Sequence, residues 1–558
     1  MVRSFYWDNG TAKNAGAVTF GSGITGVSGV ISSSNSLVGT SNDDNVGVSV
    51  YILPNSNYVV QSANWDNGTV VHAGAVTLGN GTTGITGVVS SSNSLVGTSK
   101  DDYVGYTVQI LSNGNYVVVS QSWDNGTVVN AGAVTLGNGI TGITGAVSSS
   151  NSLVGTNAFD QIGSYINLLA NGNFVVSSAG WSSGRGAFTW VDGNVGLTGA
   201  VSSSNSLVGS TISDSDNYRI SSLSNGNYVI NVPTWDNGTK VDAGASVWGN
   251  GLTGVRGVIS AANSLVGTTA KQFESTQVTP LSNGNYLILA PKWDNGNLVD
   301  AGAVTFANGS QPITGTISSA NSLVGTTANQ FSGVGALALS NGNYVVYTPL
   351  WDSSTTVDVG AITWGSGTTG VIGNISASNS LVGSKQNDFL AWSYQGRNFY
   401  DNSPIVLSNG NLVYGLRYLD NNNVVNAGAM VWMSGSQPTT GVIGAANSLV
   451  GTTTGDLLSA TINSLPNGNY VVLSPNWDNG SVVDAGAVTW GNGSTGTFGS
   501  ITPTNSLVGT TDTKLGYMRF TPLKGSSNYL ISNSTGTVNG IAGAGFVTWA
   551  NGTAPLIG

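Results

Sequence analysis

Val104-Gly105-Tyr106-Thr107-Val108-Gln109-Ile110-Leu111, Ser112-Asn113-Gly114-Asn115, Tyr116-Val117-Val118-Val119-Ser120: two apolar, partly β-branched runs with Asn-Gly between them. Asn-Gly between two such runs predicts a β-hairpin, because a type I′ turn requires positive φ at both central residues. Working outward, Trp123-Asp124-Asn125-Gly126 reads as a second turn. Ala131-Gly132-Ala133-Val134-Thr135-Leu136 follows as a third strand, broken by Gly137-Asn138-Gly139. Thr141 to Ser148 and then Leu153-Val154-Gly155 supply a short fourth strand. Gly, Asn and Ser interrupt every stretch before a helical period could complete three turns.

This order recurs along the chain. The phrase Asn-Ser-Leu-Val-Gly-Thr/Ser begins at Asn35, Asn93, Asn151, Asn205, Asn263, Asn321, Asn379, Asn447 and Asn505, so most intervals are 58 residues, with one of 54 and one of 68. One supersecondary unit is therefore copied in series, each copy needing neighbours to bury its apolar face. Four short antiparallel strands per copy is the blade of a β-propeller. Solenoid coils usually run about 20–29 residues, and no half-period echo is present. Closing a ring would also protect sheet edges that a weakly charged chain cannot guard otherwise.

Counting strands sets the expected number of blades. The second strand and the Asn-Ser-Leu-Val-Gly phrase each occur nine times, but the third strand occurs ten times, from Ala15–Phe20 to Ala544–Trp549. The expectation is an all-β propeller of about nine four-stranded antiparallel blades. It forms a single domain over residues 1–558, a monomeric ring closed by pairing of the N- and C-terminal segments. The C-terminus would give the shared blade its inner strands and Gly29 to Thr40 its outermost one. One third strand is then redundant, which leaves strand swapping between molecules open.

Composition narrows the function. Only 7% of residues are charged, against about 25% in ordinary domains, while 40% are apolar and 81 are Gly. Periodic Val, Tyr and Trp argue against disorder. A net charge of −10 with 15 Lys and Arg leaves no basic footprint for nucleic acid. Cysteine is absent, so there is no disulfide, Cys-metal site or thiol nucleophile. No stretch is apolar enough to insert in a membrane. Met1 to Trp7 has no signal-peptide core and falls in mid-repeat, so the chain reads as a piece of a longer array.

The succession Leu-Val-Gly-Thr, Asp-x-Val-Gly, Asn-Gly-Asn-Tyr-Val-Val-x-Ser, Trp and Ala-Gly-Ala-Val-Thr-Trp resembles the FG-GAP blades of integrin α-subunit propellers. It resembles more closely the repeats of very large bacterial haemagglutinin-like or adhesin-like surface proteins. That resemblance implies a propeller and an extracellular or cell-surface location. Calcium-binding FG-GAP blades carry an acidic Asp-x-Asp-x-Asp-Gly loop between the first two strands. Here the loop reads Ser112-Asn113-Gly114-Asn115, Ser224-Asn225-Gly226-Asn227 or Ser282-Asn283-Gly284-Asn285, without a carboxylate. Calcium takes roughly 6–8 oxygen ligands, charged ones among them, so the family's metal does not carry over. Asp43-Asp44 and Asp101-Asp102 lie in another loop and leave a weak calcium site there as a minor alternative. No metal or cofactor is expected.

Catalytic chemistry has little to work with. His72 is the only histidine and Glu274 the only glutamate. His72 stands where other copies have Asn14, Asn130, Asp242, Asp300, Asp358, Asn426 and Asp484, so it reads as a variable loop residue rather than a triad base. Multi-His zinc sites are impossible. The Asp residues, which glycoside hydrolysis would pair, sit mostly in repeated turns. An enzyme is not expected.

Two features suit binding. The Trp-Asp-Asn-Gly turn offers an aromatic plate beside a carboxylate and an amide, which fits a sugar. The candidates are Trp65 and Asp66, Trp123 and Asp124, Trp235 and Asp236, Trp293 and Asp294, and Trp477 and Asp478. The competing reading has the Trp packed between adjacent blades. The copy after Asn379 is longer and carries Trp392, Tyr394, Arg397, Phe399 and Tyr400, residue types enriched at interaction hot spots. The function expected is a non-catalytic structural or adhesive module of a bacterial surface or secreted protein, with an unidentified protein or glycan as partner. The alternative is a multivalent lectin using the Trp-Asp-Asn-Gly turns.

Overall fold

The computed structural model describes residues 1–389, 404–510, 515, 517–535, 541 and 543–558. The second full copy shows how a repeat is built. Strands Thr107–Ile110, Tyr116–Ser120 and Ala133–Gly137 form an antiparallel meander, with Leu153–Val154 antiparallel to the last. A fifth strand, Gly199–Ala200, then adds in parallel, with Leu153 opposite Gly199 and Val154 opposite Ala200. That fifth strand belongs to the following copy. Each of the second to eighth sheets thus takes one two-residue strand from its successor and lends one to its predecessor, a connection the four-stranded blade did not contain.

The Asn-Gly hairpin forms, but not as the expected turn. Gly114 donates to the Leu111 carbonyl, Leu111 and Asn115 close the loop, and only Gly114 has positive φ, at 89°. This is a three-residue loop, a type I turn followed by a left-handed glycine. Asn113 Oδ1 accepts from the Asn115 N–H, which holds Asn113 in the turn and leaves the left-handed position to glycine.

Tyr116–Ser120 is buried on both faces, which explains a continuous apolar run where a half-buried strand would alternate. Val59, Val76 and Leu95 of one sheet meet Tyr116, Val118, Trp123 and Val147 of the next. Equivalent clusters join consecutive sheets throughout each of two compact units. Residues 1–273 with 309–316 form the first and residues 274–308 with 317–558 the second. The polar counterpart is a buried hydroxyl pair tying third strand to fourth, Thr77 to Ser94 at 2.7 Å and Thr135 to Ser152 at 2.6 Å.

The described residues make ten sheets, five in each unit. Val2–Ser4, Ala17–Thr19 and Ser36–Val38 form one with Gly87–Val88. Met518–Pro522, Tyr529–Asn533 and Phe546–Ala550 form another. The shared terminal blade, and with it the count of nine, is corrected. The tenth third strand is not redundant, because it has a sheet of its own. The chain end goes elsewhere: Val508 N–H donates to the Gly558 carbonyl and Gly558 N–H to Ser506, so Gly558 occupies a fifth-strand position.

Candidate functional site: the Trp-Asp-Asn-Gly turns

The tryptophans of these turns are core residues. Trp65, Trp123, Trp235, Trp293 and Trp477 are 3–6% exposed, and Trp123 packs against Val118, Ala133 and Val154. A ring of this size removes about 150–250 Å² from water, and no face is left for a sugar to stack on. The packing reading is the one the geometry supports.

The polar residues of the turn are engaged with backbone. Asp66 Oδ1 accepts from His72 N–H at 2.8 Å, and Asp124 from Asn130 at 2.8 Å. Asp236, Asp294 and Asp478 accept likewise from Asp242, Asp300 and Asp484. Each asparagine spans to the Leu-Val-Gly phrase of its own copy, Asn67 Nδ2 to the Gly97 carbonyl and Asn125 Nδ2 to Gly155, both at 3.0 Å. The Trp65 carbonyl accepts from Gly74 N–H. These turns are internal braces.

His72 has φ 52°, and Asn14, Asn130, Asp242, Asp300, Asp358, Asn426 and Asp484 all lie between 51° and 56°. Among side-chain-bearing residues, Asn, Asp and His tolerate that left-handed region best. Backbone geometry therefore explains which residues alternate at this position. His72 Nδ1 lies 3.0 Å from both Asp101 Oδ1 and the Tyr103 hydroxyl.

Sequence reasoning named Asp44 and Asp102 only as part of a weak calcium alternative and missed the recurrent aspartate to which they belong. Asp44, Asp102, Asp160, Asp214, Asp388 and Asp456 are all buried, five residues after the glycine of Leu-Val-Gly. Asp102 Oδ2 accepts from Thr98 and Ser99 N–H at 2.8 and 2.7 Å. Its Oδ1 accepts from Asp124 N–H of the next copy at 2.9 Å. Asp44 repeats this with Thr40, Ser41 and Asp66. Burial pushes the Asp44, Asp102 and Asp388 carboxyls above their ordinary value, against the pull of three backbone N–H groups on each. Gln272 and Gln330 stand at the same place, with the Thr268 and Thr326 N–H groups bound to their Oε1. The constant offset from Leu-Val-Gly was the available signal. Asp44 and Asp102 face backbone donors, so the calcium alternative there is withdrawn. Among the described residues no group of three or more His, Cys, Asp or Glu could hold a metal ion.

A second brace links copies through the Asn-Gly-Asn turn. Asn55 and Asn57 Nδ2 both donate at 2.8 Å to the Gly139 carbonyl of the next copy, while Asn57 Oδ1 accepts from Gly81 of its own. Trp392, Tyr394, Arg397, Phe399 and Tyr400 lie outside the described residues.

The repeat family described as "Repeat of unknown function (DUF5650)" matches residues 1–48, 52–106, 110–164, 168–217, 222–275, 280–334, 338–392, 406–460, 464–515 and 524–558. The chain belongs to the DUF5650 repeat family. Its ten matched segments agree with the ten sheets. This DUF5650 chain is 27% identical over 297 residues to outer membrane protein B of Rickettsia conorii (strain ATCC VR-613 / Malish 7), covering 49% of the chain and 17% of that protein. Against outer membrane protein B of Rickettsia rickettsii it is 26% identical over 319 residues, covering 50% and 18%. The aligned region is thus under a fifth of either relative's length. A solved eukaryotic initiation factor aligns over 83% of the chain and 87% of its own at 8% identity, with a TM-score of 0.29 that carries no argument about fold. No helix among the described residues is long and apolar enough to cross a membrane.

Proposed function

We propose that this DUF5650 array is a non-catalytic structural or adhesive segment of a bacterial cell-surface or secreted protein. The observation that carries the reading is where the recurrent polar residues point. The repeated Asp, Asn, Thr and Ser side chains are bonded to backbone or to one another inside and between copies. Selection for a rigid, weakly charged array explains that pattern, whereas a catalytic site would need one copy to differ in its chemistry. The relatives are outer membrane proteins by name, which supports a surface location. The strand order within each sheet keeps the likeness to an FG-GAP propeller blade, and a partner protein or glycan would meet the exposed loops rather than the tryptophans.

Antibody against the purified chain is expected to label intact producing cells, with the label lost after brief external proteolysis. Labelling that required permeabilised cells would overturn the surface reading. The lectin alternative predicts quenching or a shift of tryptophan fluorescence by a glycan, and buried rings predict neither.

A further inference from the structure

The third strand of each copy carries, at its fourth position, a side chain turned toward the next copy, and the residue there is not uniform. Trp stands at 190, 248, 364, 432, 490 and 549 and Phe at 20 and 306, whereas Leu78 and Leu136 are aliphatic. Where the residue is Trp, its ring is built into the junction. Trp190, Trp248, Trp364, Trp432 and Trp490 donate their indole N–H groups to the carbonyls of Gly251, Gly309, Gly435, Gly493 and Gly552 in the following copy, at 2.8–3.3 Å. Phe20 and Phe306 instead lie parallel to Tyr58 and Tyr344 of the following copy, with ring centres 6.3 and 6.4 Å apart.

At Leu78 a smaller side chain takes the place of the ring, and the room beside it is open. A cavity of about 250 Å³ lies there, lined by Asn57, Leu78, Asn80 and Ile85 of one copy and by Ile140 and Ile143 of the next. Leu78 and Ile143 pack on the cluster that contains Tyr116 and Val147, which gives the cavity an apolar floor. The acceptor is present as well. The Gly139 carbonyl, counterpart of Gly251, precedes the lining residue Ile140 and accepts from Asn55 and Asn57 Nδ2 at 2.8 Å each. Gly251 accepts from the equivalent Asn171 and Asn173 and, in addition, from the Trp190 indole. The junction at Leu78 therefore differs from its sisters by one ring and one N–H donor. An engineered cavity of about 150 Å³ already holds benzene, so a bicyclic heteroaromatic ring fits the larger space.

We propose that the cavity beside Leu78 is a binding site for a small molecule carrying an indole-like ring with an N–H donor. The ring rests on Leu78 and Ile143, and its N–H donates to the Gly139 carbonyl as Trp190 does to Gly251. The occupant is read from the sister junctions, where the chain's own indole fills the equivalent place. The site is separate from the Trp-Asp-Asn-Gly turns, and the inference does not rest on the cell-surface reading.

The test uses the full chain with its isoleucine methyl groups isotope-labelled for NMR and with indole as the probe. Indole at about millimolar concentration is expected to shift the Ile85, Ile140 and Ile143 methyl resonances saturably, as suits a ligand of few atoms. N-methylindole keeps the ring but loses the donor, and should bind about fivefold more weakly. Leu78→Trp supplies the ring from the chain itself and should abolish the Ile85 shift. Leu78→Phe, which places there the residue found at 20 and 306, should weaken binding and gives a second filling variant if the first does not fold. Shifts that do not saturate, equal affinity for indole and N-methylindole, or undiminished binding in a folded filling variant would overturn the proposal.

Discussion

At the residue scale, Asp102 does the most with one side chain. It accepts three backbone N–H groups, one of them from the next copy, from a fully buried position. Asp102→Ala would strand those donors and should cost about 3 kcal/mol, read as a lowered denaturation midpoint. Asp102→Gln should cost less, because Gln272 and Gln330 keep one of those backbone bonds at the same place in sister copies. Titration adds an independent check. Burial holds the Asp102 carboxyl above its unfolded value, so the folded state binds the proton more tightly. The penalty for the charge is fully present above the folded value and is relieved as pH falls through it. The stability of the native chain relative to Asp102→Asn should therefore rise as pH is lowered from neutral through the raised value. A flat difference would show that the three N–H bonds cancel the burial. Trp123→Ala should cost about 3–5 kcal/mol. Trp123→Phe should cost less, since it keeps an aromatic ring and removes an indole N–H that has no hydrogen-bond partner.

At the element scale, the parallel fifth strand is the link between copies. Gly145 N–H donates to Ser91 and Val147 N–H to Val96, and Gly145 sits at φ 96°. A branched side chain cannot hold that conformation without strain of about 1–3 kcal/mol. Gly145→Val is expected to lower stability by that order and to raise hydrogen exchange at Gly145 and Val147 ahead of the Tyr116–Ser120 strand. The hairpin, the third strand and the Trp-containing turn were legible from residue order alone, because turn chemistry and β-branched runs are local signals. The fifth strand was not. Two residues of Gly-Ala or Gly-Val carry no periodicity, and their partner lies in another copy.

At the scale of the whole molecule, the DUF5650 array should behave as a chain of nearest neighbours. Destabilising substitutions in copies separated by two or more repeats, such as Val60→Ala with Val176→Ala, should add within about 0.5 kcal/mol. The pair Val59→Ala with Val118→Ala places its changes in adjacent sheets that share one core and should depart from additivity. Equal additivity in both pairs would mean that the sheets do not share their cores.

The sequence by itself determined the period, the all-β strand order and the exclusion of thiol and multi-histidine chemistry, since each depends only on which residues recur and how far apart. Tertiary structure decided that the Trp-Asp-Asn-Gly tryptophans are packed inside, that Asp102 and its equivalents are braces, and that the terminal strands form two sheets rather than one. The physical reason is common to all three. A residue's exposure and its hydrogen-bond partner are set by the neighbouring copy, and the identity of a side chain does not reveal which side of that junction it faces.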